Sequence, residues 1–323
     1  MTTFFLNRLA TEPHALAFAG QSTPWPVALA DQTTDPSLDE ALRGHVAAAG
    51  RLLTPVAADL LATTGRPVDL FGFAPNPARL GAAADATASV EGVALTQLGA
   101  LLDLEHLGYS VAQAKPLAVL GHSQGVLAVH MTRAIEAAGS IEAAGKTLNE
   151  ILAVAALIGA AGTRRVRELG LNPKYGEASP MLSVKGATRE QVEALVARVN
   201  NARGPISIAV TNSDNHHVLS GYPEDLAAFA LEAEREHQHQ AKLREQKLHG
   251  GTVFNPTLEY LEVTLPFHSP LMADAVEQTV AWAGACGFDQ KRTRALAEEV
   301  LLNHVDWNAR VKALFDDADP SKL

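Results

Sequence analysis

The chain has a single cysteine, no apolar run long enough to cross a bilayer, and fewer basic than acidic side chains. Cys286 alone rules out an intrachain disulfide, which points to a reducing, cytoplasmic setting. Its neighbours in WAGACGF supply nothing to lower a thiol pKa, so Cys286 reads as an inert packed residue. The longest uncharged apolar stretch, ILAVAALIGAAG at 151–162, falls short of the roughly 18 residues a spanning helix needs. MTTFFLNRLATEPHA lacks the basic, apolar and small-residue order of a secretion signal. With 26 Lys and Arg against 36 Asp and Glu, the net charge of −10 repels phosphate backbones and argues against a nucleic-acid partner. The closing Ser321-Lys322-Leu323 imitates a peroxisomal address, but a three-residue match is too frequent by chance to weigh.

What is present is a large core. At 323 residues and 47% hydrophobic, the chain suits one large domain or a large one with a smaller insert. ALAFAG at 15–20 reads as a short buried strand running into the polar, proline-rich QSTPWP. Helical spacing of apolar residues follows over 38–63 and again over 93–107, before and after a Pro/Gly/Asn-rich segment at 65–81. In the second of these Gln97 interrupts the apolar face; it is either a satisfied helix residue or part of a pocket wall. Residues 116–120 are short and continuously apolar, the pattern of a fully buried parallel strand, and helices at about 125–138 and 148–163 come next. From 179 the order becomes β, α, β, β, α, β through MLSVKG, TREQVEALVARVN, ISIAVT, HHVLSG, PEDLAAFALEAERE and LEYLEVTL. Thr188 with Gln191 forms a capping-box signature, Pro223 suits a first helical position, and Ser213-Asp214-Asn215 supplies a turn between strands. The expected fold class is α/β: an α/β-hydrolase-like large subdomain with a parallel sheet (1–178 and 265–323) and an inserted ferredoxin-like subdomain (179–264).

Strand, GHSQG at 121–125 and helix stand in the order that a nucleophile elbow requires. The sharp turn exposes Ser123 in front of a helix N-terminus, and the backbone N–H of Gln124 points where a thioester or ester oxygen becomes an oxyanion. The alternative is a glycine-rich turn whose serine merely caps the helix. Of the twelve histidines, His122 sits inside the elbow and is expected to face away, while those at 45, 106 and 130 fall on helices and those at 216–217 and 237–249 in the insert. His268 lies in LPFHSPLM, between two prolines that stiffen a loop where the chain returns to the large subdomain. Most acids between Ser123 and His268 belong to the insert, which leaves a Ser/His dyad oriented by a backbone carbonyl. The segment EREHQHQAKLREQKLHGG at 234–251 is either a solvated helix face or, through Lys242, Arg244 and Lys247, a docking patch for an acidic partner.

AFAGQ at 17–21, LTQL at 95–98, GHSQG, the ferredoxin-like insert and LPFHSP at 265–270 resemble, in order, the malonyl/acetyl-CoA:acyl-carrier-protein transacylase family. With GHSQGVLAVH, LIGAAGT at 157–163, MLSV at 181–184, HGGTVFNP at 249–256 and VDW at 305–307, the chain also resembles the N-terminal acyltransferase domain of a bacterial type I fatty acid synthase, as in mycobacteria and corynebacteria. The resemblance implies Ser123 as the acylated nucleophile, His268 as general base and acid, and the N–H groups of Gln124 and Gln21 as the oxyanion hole. It implies that Asn303 or its neighbour in LLNHVDW offers the orienting carbonyl, that Gln97 supports the site, and that Asn212 lies near the pantetheine arm of the donor. It also implies acetyl-CoA as donor substrate, no permanently bound cofactor or metal, and two kinds of partner: a phosphopantetheine-bearing acyl carrier protein and the other domains of the synthase. Ser22 stands where relatives often have glycine, and the family usually runs on beyond VDW, so an excised domain is expected.

Malonyl-loading relatives place an arginine on the helix after the nucleophile helix, to clamp a carboxylate. The matching residue here is Ile158, and burying an unpaired carboxylate costs several kcal/mol, so the resemblance implies an acetyl preference. Arg165 lies seven residues on, displaced by about 10 Å along the axis, and Arg164 is rotated off that face. The alternatives are a malonyl transferase, a thioesterase or esterase built on the same dyad, and a noncatalytic module that docks carrier protein.

Overall fold

A computed structural model describes residues 12–21, 24–65, 67–73, 84–114, 116–171, 178–200, 205–246 and 253–317. Ser22, Lys247 and the closing tripeptide lie outside the described residues. Two strands, β1 (Ala15–Phe18) and β2 (Ala118–Gly121), pair in parallel with Ala15 opposite Ala118 and Phe18 opposite Gly121. Both are mostly half-buried, where fully buried strands were expected, because helices cover their surroundings only in part.

Helices α1 (Trp25–Gln32), α2 (Pro36–Leu52), α3 (Ala57–Thr64), α4 (Ala86–His106) and α5 (Val111–Ala114) fill the first part of the chain. The single helical pattern expected over 38–63 is broken: α2 and α3 are bent by 55° at a turn holding Pro55. Proline removes a backbone donor and clashes with the carbonyl four residues back, which ends α2. The α2 start is fixed by Asp35, whose carboxylate accepts from the N–H groups of Ser37 and Leu38. α4 begins earlier than its periodicity suggested because Asp85 caps it through Thr87 N–H at 2.9 Å. It is buried on most of its surface, so no polar stripe marks its first two turns.

α6 (Val126–Ala138) and α7 (Ile141–Glu168) follow β2. α7 extends beyond the expected 148–163 because Ser140 caps it at Ala143 and an Arg164–Glu168 ion pair supports its last turn. By length and composition α7 could span a membrane, yet 61% of its most apolar window is buried inside the fold, against α4, α6 and α10 (Ala273–Ala285). The apolarity of 151–162 is that of a central core helix.

The insert folds as β3 (Met181–Lys185), α8 (Arg189–Val199), β4 (Ser207–Ser213), β5 (His216–Ser220), α9 (Pro223–Glu245) and β6 (Thr257–Tyr260). The sheet order β6-β3-β5-β4, with every neighbouring pair antiparallel, is that of a split β-α-β unit. Leu182, Val184 and Leu219 on one face pack with Val192 and Leu195 of α8 and Leu226 and Phe229 of α9 as a second core. Met181, Ser183 and Lys185, with their cross-strand partners, point the other way, toward the first subdomain. α9 starts at Pro223, and its Arg and Glu side chains pair with one another and with α8, as in Arg235–Glu232 and Arg198–Glu236. Lys242 and Arg244 are exposed at its far end.

After the insert, α10, α11 (Gln290–Leu301), β7 (Val305–Asp306) and α12 (Trp307–Asp317) return to the large core. The two-residue β7 joins the edge of the inserted sheet in parallel, Val210 opposite Val305 and Thr211 opposite Asp306. Nothing in its length or pattern marks it as a strand.

Thr188 and Gln191 form the full reciprocal capping box at the start of α8. Thr188→Ala is expected to lower stability by about 1 kcal/mol, read as a lower urea midpoint at unchanged slope.

Candidate active site

β2 ends at Gly121, His122 stays extended, and Ser123–Gly125 turn as a short 3-10 segment into α6. Ser123 has φ +52°, a left-handed conformation that costs a residue with a side chain roughly 1–2 kcal/mol. Such strain survives only where neighbours over-determine it. Here His122 N–H donates to the Phe18 carbonyl and Gly125 N–H to the His122 carbonyl, both at 2.9 Å. A Cβ on Gly125 would run into the Phe18 carbonyl, and one on Gly121 into the Gly125–Val126 backbone, so the elbow is packed onto β1 as closely as backbone allows.

Ser123 Oγ lies 2.7 Å from His268 Nε2, and His268 Nδ1 lies 2.8 Å from the carbonyl oxygen of Asn303. A carbonyl can only accept, so Nδ1 carries the proton and donates it, leaving Nε2 free to accept from the serine hydroxyl. Of the two positions that LLNHVDW offered, the orienting carbonyl is therefore that of Asn303. The Asn303 N–H in turn donates to the backbone carbonyl of Glu298, in the last turn of α11, at 2.7 Å. His268 is the second non-glycine residue at positive φ, +57°. It is held by Ser269 N–H on the Leu301 carbonyl and by the stiff 3-10 turn that starts at Pro270. Burial pushes the imidazole pKa down to about 4; the Asn303 carbonyl opposes this, while His122, His304 and Arg310 add to it. The ring is a neutral base at pH 7.

The loop after β1 abuts the elbow: a Cβ on Gly20 would run into the His122 carbonyl and the Ser123 side chain. The side-chain amide of Gln124 donates to the side-chain oxygen of Gln21, tying the two expected oxyanion-hole residues together. The N–H of Gln124 lies in the first turn of the helical segment, where backbone donors have no partner within the helix. Gln97 donates its side-chain amide to the Ala19 carbonyl at 2.5 Å. Its role is to brace this loop from α4.

A cavity of about 690 Å³ opens over Ser123 and His268, roofed by the inner face of the inserted sheet and walled by Trp25, Val263 and Phe267. His122 was expected to face away and instead lines this cavity, donating from Nε2 to Asn212 Oδ1 at 2.8 Å with its ring edge against Trp307. The reason is that β4 reaches over the elbow and offers an acceptor. Asn212 also lines the cavity, so it stands where it can both hold His122 and face a substrate.

Ile158 is a correction. It is fully buried in the core and does not line the cavity, because α7 is enclosed on several sides and periodicity alone does not say which side meets the site. Arg165 donates to the Leu271 carbonyl at 3.0 Å and pairs with Asp274 at 2.9 Å, while Arg164 pairs with Glu168. Neither guanidinium reaches the cavity. Among the described lining residues the one lysine or arginine is Lys185, which pairs with Glu259 at 3.1 Å. Sequence reasoning missed Arg310, whose Nη1 donates to the Gly121 carbonyl at 3.0 Å. An arginine on an amphipathic terminal helix carries no signal of that contact.

Known proteins share this fold. Residues 180–260 match the family model of the fatty acid synthase central AT domain. Fatty acid synthase 2 of Mycosarcoma maydis is 32% identical over 170 residues, 49% of this chain and 4% of that protein. The chain spans less than a tenth of the curated relatives it matches. Among solved structures, the malonyl CoA-acyl carrier protein transacylase of Coxiella burnetii superposes with a TM-score of 0.63 at 16% identity, over 95% of this chain and 84% of that one. A malonyl-transacylase solved with its type II polyketide acyl-carrier protein gives 0.61 at 15%, over 94% and 86%. The fold is therefore the α/β transacylase fold, with its parallel sheet and surrounding helices.

The low pKa of His268 sets a pH profile. Covalent labelling of Ser123 by a fluorophosphonate needs the neutral ring, so its rate is expected to hold as pH falls through 6.5 and to drop only toward pH 4. Ser123→Ala should not label. In the unfolded chain the ring takes its proton near 6.5, so acid weakens the fold between that pH and about 4. A labelling limb centred at 6.5 would contradict the buried, neutral imidazole.

Proposed function

We propose that this chain is an acyltransferase of fatty acid synthesis that moves an acetyl group from acetyl-CoA, through an ester on Ser123, to the phosphopantetheine thiol of an acyl carrier protein. The observation that carries the reading is the 2.7 Å contact from Ser123 Oγ to a buried His268 whose other nitrogen is committed to a backbone carbonyl. In support stand the match of the insert to a fatty acid synthase domain and a neighbour of the same fold solved with its acyl-carrier protein. The place proposed for the chain is the acyltransferase domain of a bacterial type I synthase in the cytoplasm; the relative reported above is fungal.

The steps balance within the dyad. Ser123 Oγ attacks the thioester carbon as His268 Nε2 takes its proton, and the N–H groups of Gln124 and Gln21 receive the oxyanion. The tetrahedral species collapses, the C–S bond breaks, and the CoA sulfur leaves with the proton from Nε2. The carrier thiol then gives its proton to Nε2, attacks the acyl-serine and releases Ser123 as the hydroxyl. Between the two halves Ser123 and His268 stay largely shielded from solvent, which disfavours water as the acceptor.

Acetyl over malonyl rests on charge. No guanidinium lines the described cavity, and Lys185 is already paired with Glu259, so a malonyl carboxylate would enter without a partner of its own. The solved neighbours reported above are named as malonyl transacylases, so the two donors must be compared directly. Intact-protein mass spectrometry after brief mixing with each CoA ester should give a Ser123-dependent acetyl adduct at least about tenfold faster than a malonyl one, a difference of some 1.4 kcal/mol. Equal or faster malonyl loading would replace acetyl by malonyl, and prompt release of free acid would make the protein a thioesterase.

A further inference from the structure

Both reactive residues sit at positive φ, so each has to be held in place by its surroundings. One short segment, residues 303–312, touches the surroundings of both. The Asn303 carbonyl accepts from His268, β7 extends the inserted sheet beside β4, and Trp307 packs against His122 with ring centroids 5.3 Å apart. In α12, Asn308 and Lys312 both bond the Asp214 carboxylate in the β4–β5 turn, at 2.6 and 2.8 Å. Arg310, on the same helix, donates from Nη1 to the carbonyl of Gly121, two residues before the nucleophile. β2 pairs only with β1 among the described residues, so this contact supports the open side of the strand that presents the elbow.

We propose that Arg310 is a positioning residue for Ser123: by fastening the Gly121 carbonyl to α12, it ties the serine to the same piece of chain that orients His268, and so keeps Oγ and Nε2 at bonding distance. The inference rests on the reading of Ser123 as the nucleophile. Asn303 and Arg310 are seven residues apart, and the N-terminus of α12 between them is closed by Asp306, whose carboxylate accepts from Ala309 N–H at 2.8 Å. A rigid link between two strained residues transmits small displacements, and a misplacement of about 1 Å is enough to cost up to a hundredfold in rate. Arg310 also brings a positive charge to the site. The titratable groups around His268 are His122 from the elbow, His304 before β7 and Arg310 from α12, with Lys185, His216, Glu259, Tyr260 and Glu262 lining the same cavity.

The test uses the full chain and a fluorophosphonate probe, which reports on the serine independently of any acyl donor. Arg310→Gln is expected to slow the maximal labelling rate about tenfold with probe binding unchanged, and to move the acid limb to higher pH because a cation near His268 is lost. Arg310→Lys, which keeps the charge and one donor, should restore the limb and most of the rate. Asn308→Ala, which loosens α12 from the insert without touching the elbow, should stay within about twofold of wild type. The inference is overturned by wild-type labelling in Arg310→Gln, by an equal loss in Asn308→Ala, or by a rate loss that follows the thermal midpoint with the acid limb unmoved. A wild type that does not label would remove the nucleophile reading itself, and the inference with it; if Arg310→Gln does not fold, the limb and rate of Arg310→Lys decide.

Discussion

The hydrogen bond from His268 Nδ1 to the Asn303 carbonyl determines what the rest of the site can do. A carboxylate in that place would put a negative charge into a buried site and raise the imidazole pKa; a carbonyl fixes the tautomer without adding charge. The dyad is therefore neutral at rest, and its electrostatics are left to the cations and dipoles around it. Because a carbonyl holds the ring by geometry alone, the position of Asn303 matters more than its side chain, which is exposed. That position is set by the end of α11 on one side and by β7 on the other.

The same logic explains why the insert sits over Ser123. Its sheet has one face closed by α8 and α9, and the opposite face has to be covered by the large subdomain. Polar residues on that inner face, Ser183, Lys185, Asn212 and His216, keep it from collapsing into a continuous apolar contact and leave a cavity. The gap is fixed by attachments that include Asn212 on His122, β7 on β4, and Asn308 and Lys312 of α12 on Asp214. The cavity thus lies between the insert and the dyad.

Much of this was legible in residues with strong local rules. GHSQG between a strand and a helix, the capping box at Thr188, Pro223 at the start of a helix and the turn at Asp214-Asn215 each follow from backbone chemistry within a few positions, and the structure has them where the pattern put them. What was hidden depends on packing at a distance. α4 is buried on most of its surface, and α7, though amphipathic over its whole length, is buried nearly all round across 151–163; the start of α4 and the direction of Ile158 could not be taken from periodicity. β7 is two residues long, below any pattern, and His122 turns toward the cavity because a residue ninety positions away accepts its hydrogen bond. The contact of Arg310 with Gly121 spans 189 positions and involves a backbone atom, so no side-chain motif records it.

The positive φ at both Ser123 and His268 links fold stability to chemistry. Each residue would relax to an extended or helical conformation if released, and each gives up roughly 1–2 kcal/mol by staying. The serine is held by close contacts to β1 that only glycines permit, the histidine by bonds of the Pro266–Pro270 loop to the end of α11. These restraints come from opposite ends of the sequence, so neither residue is set by its own neighbourhood. Their meeting at 2.7 Å is a property of the assembled fold, because neither support alone sets the distance between Oγ and Nε2.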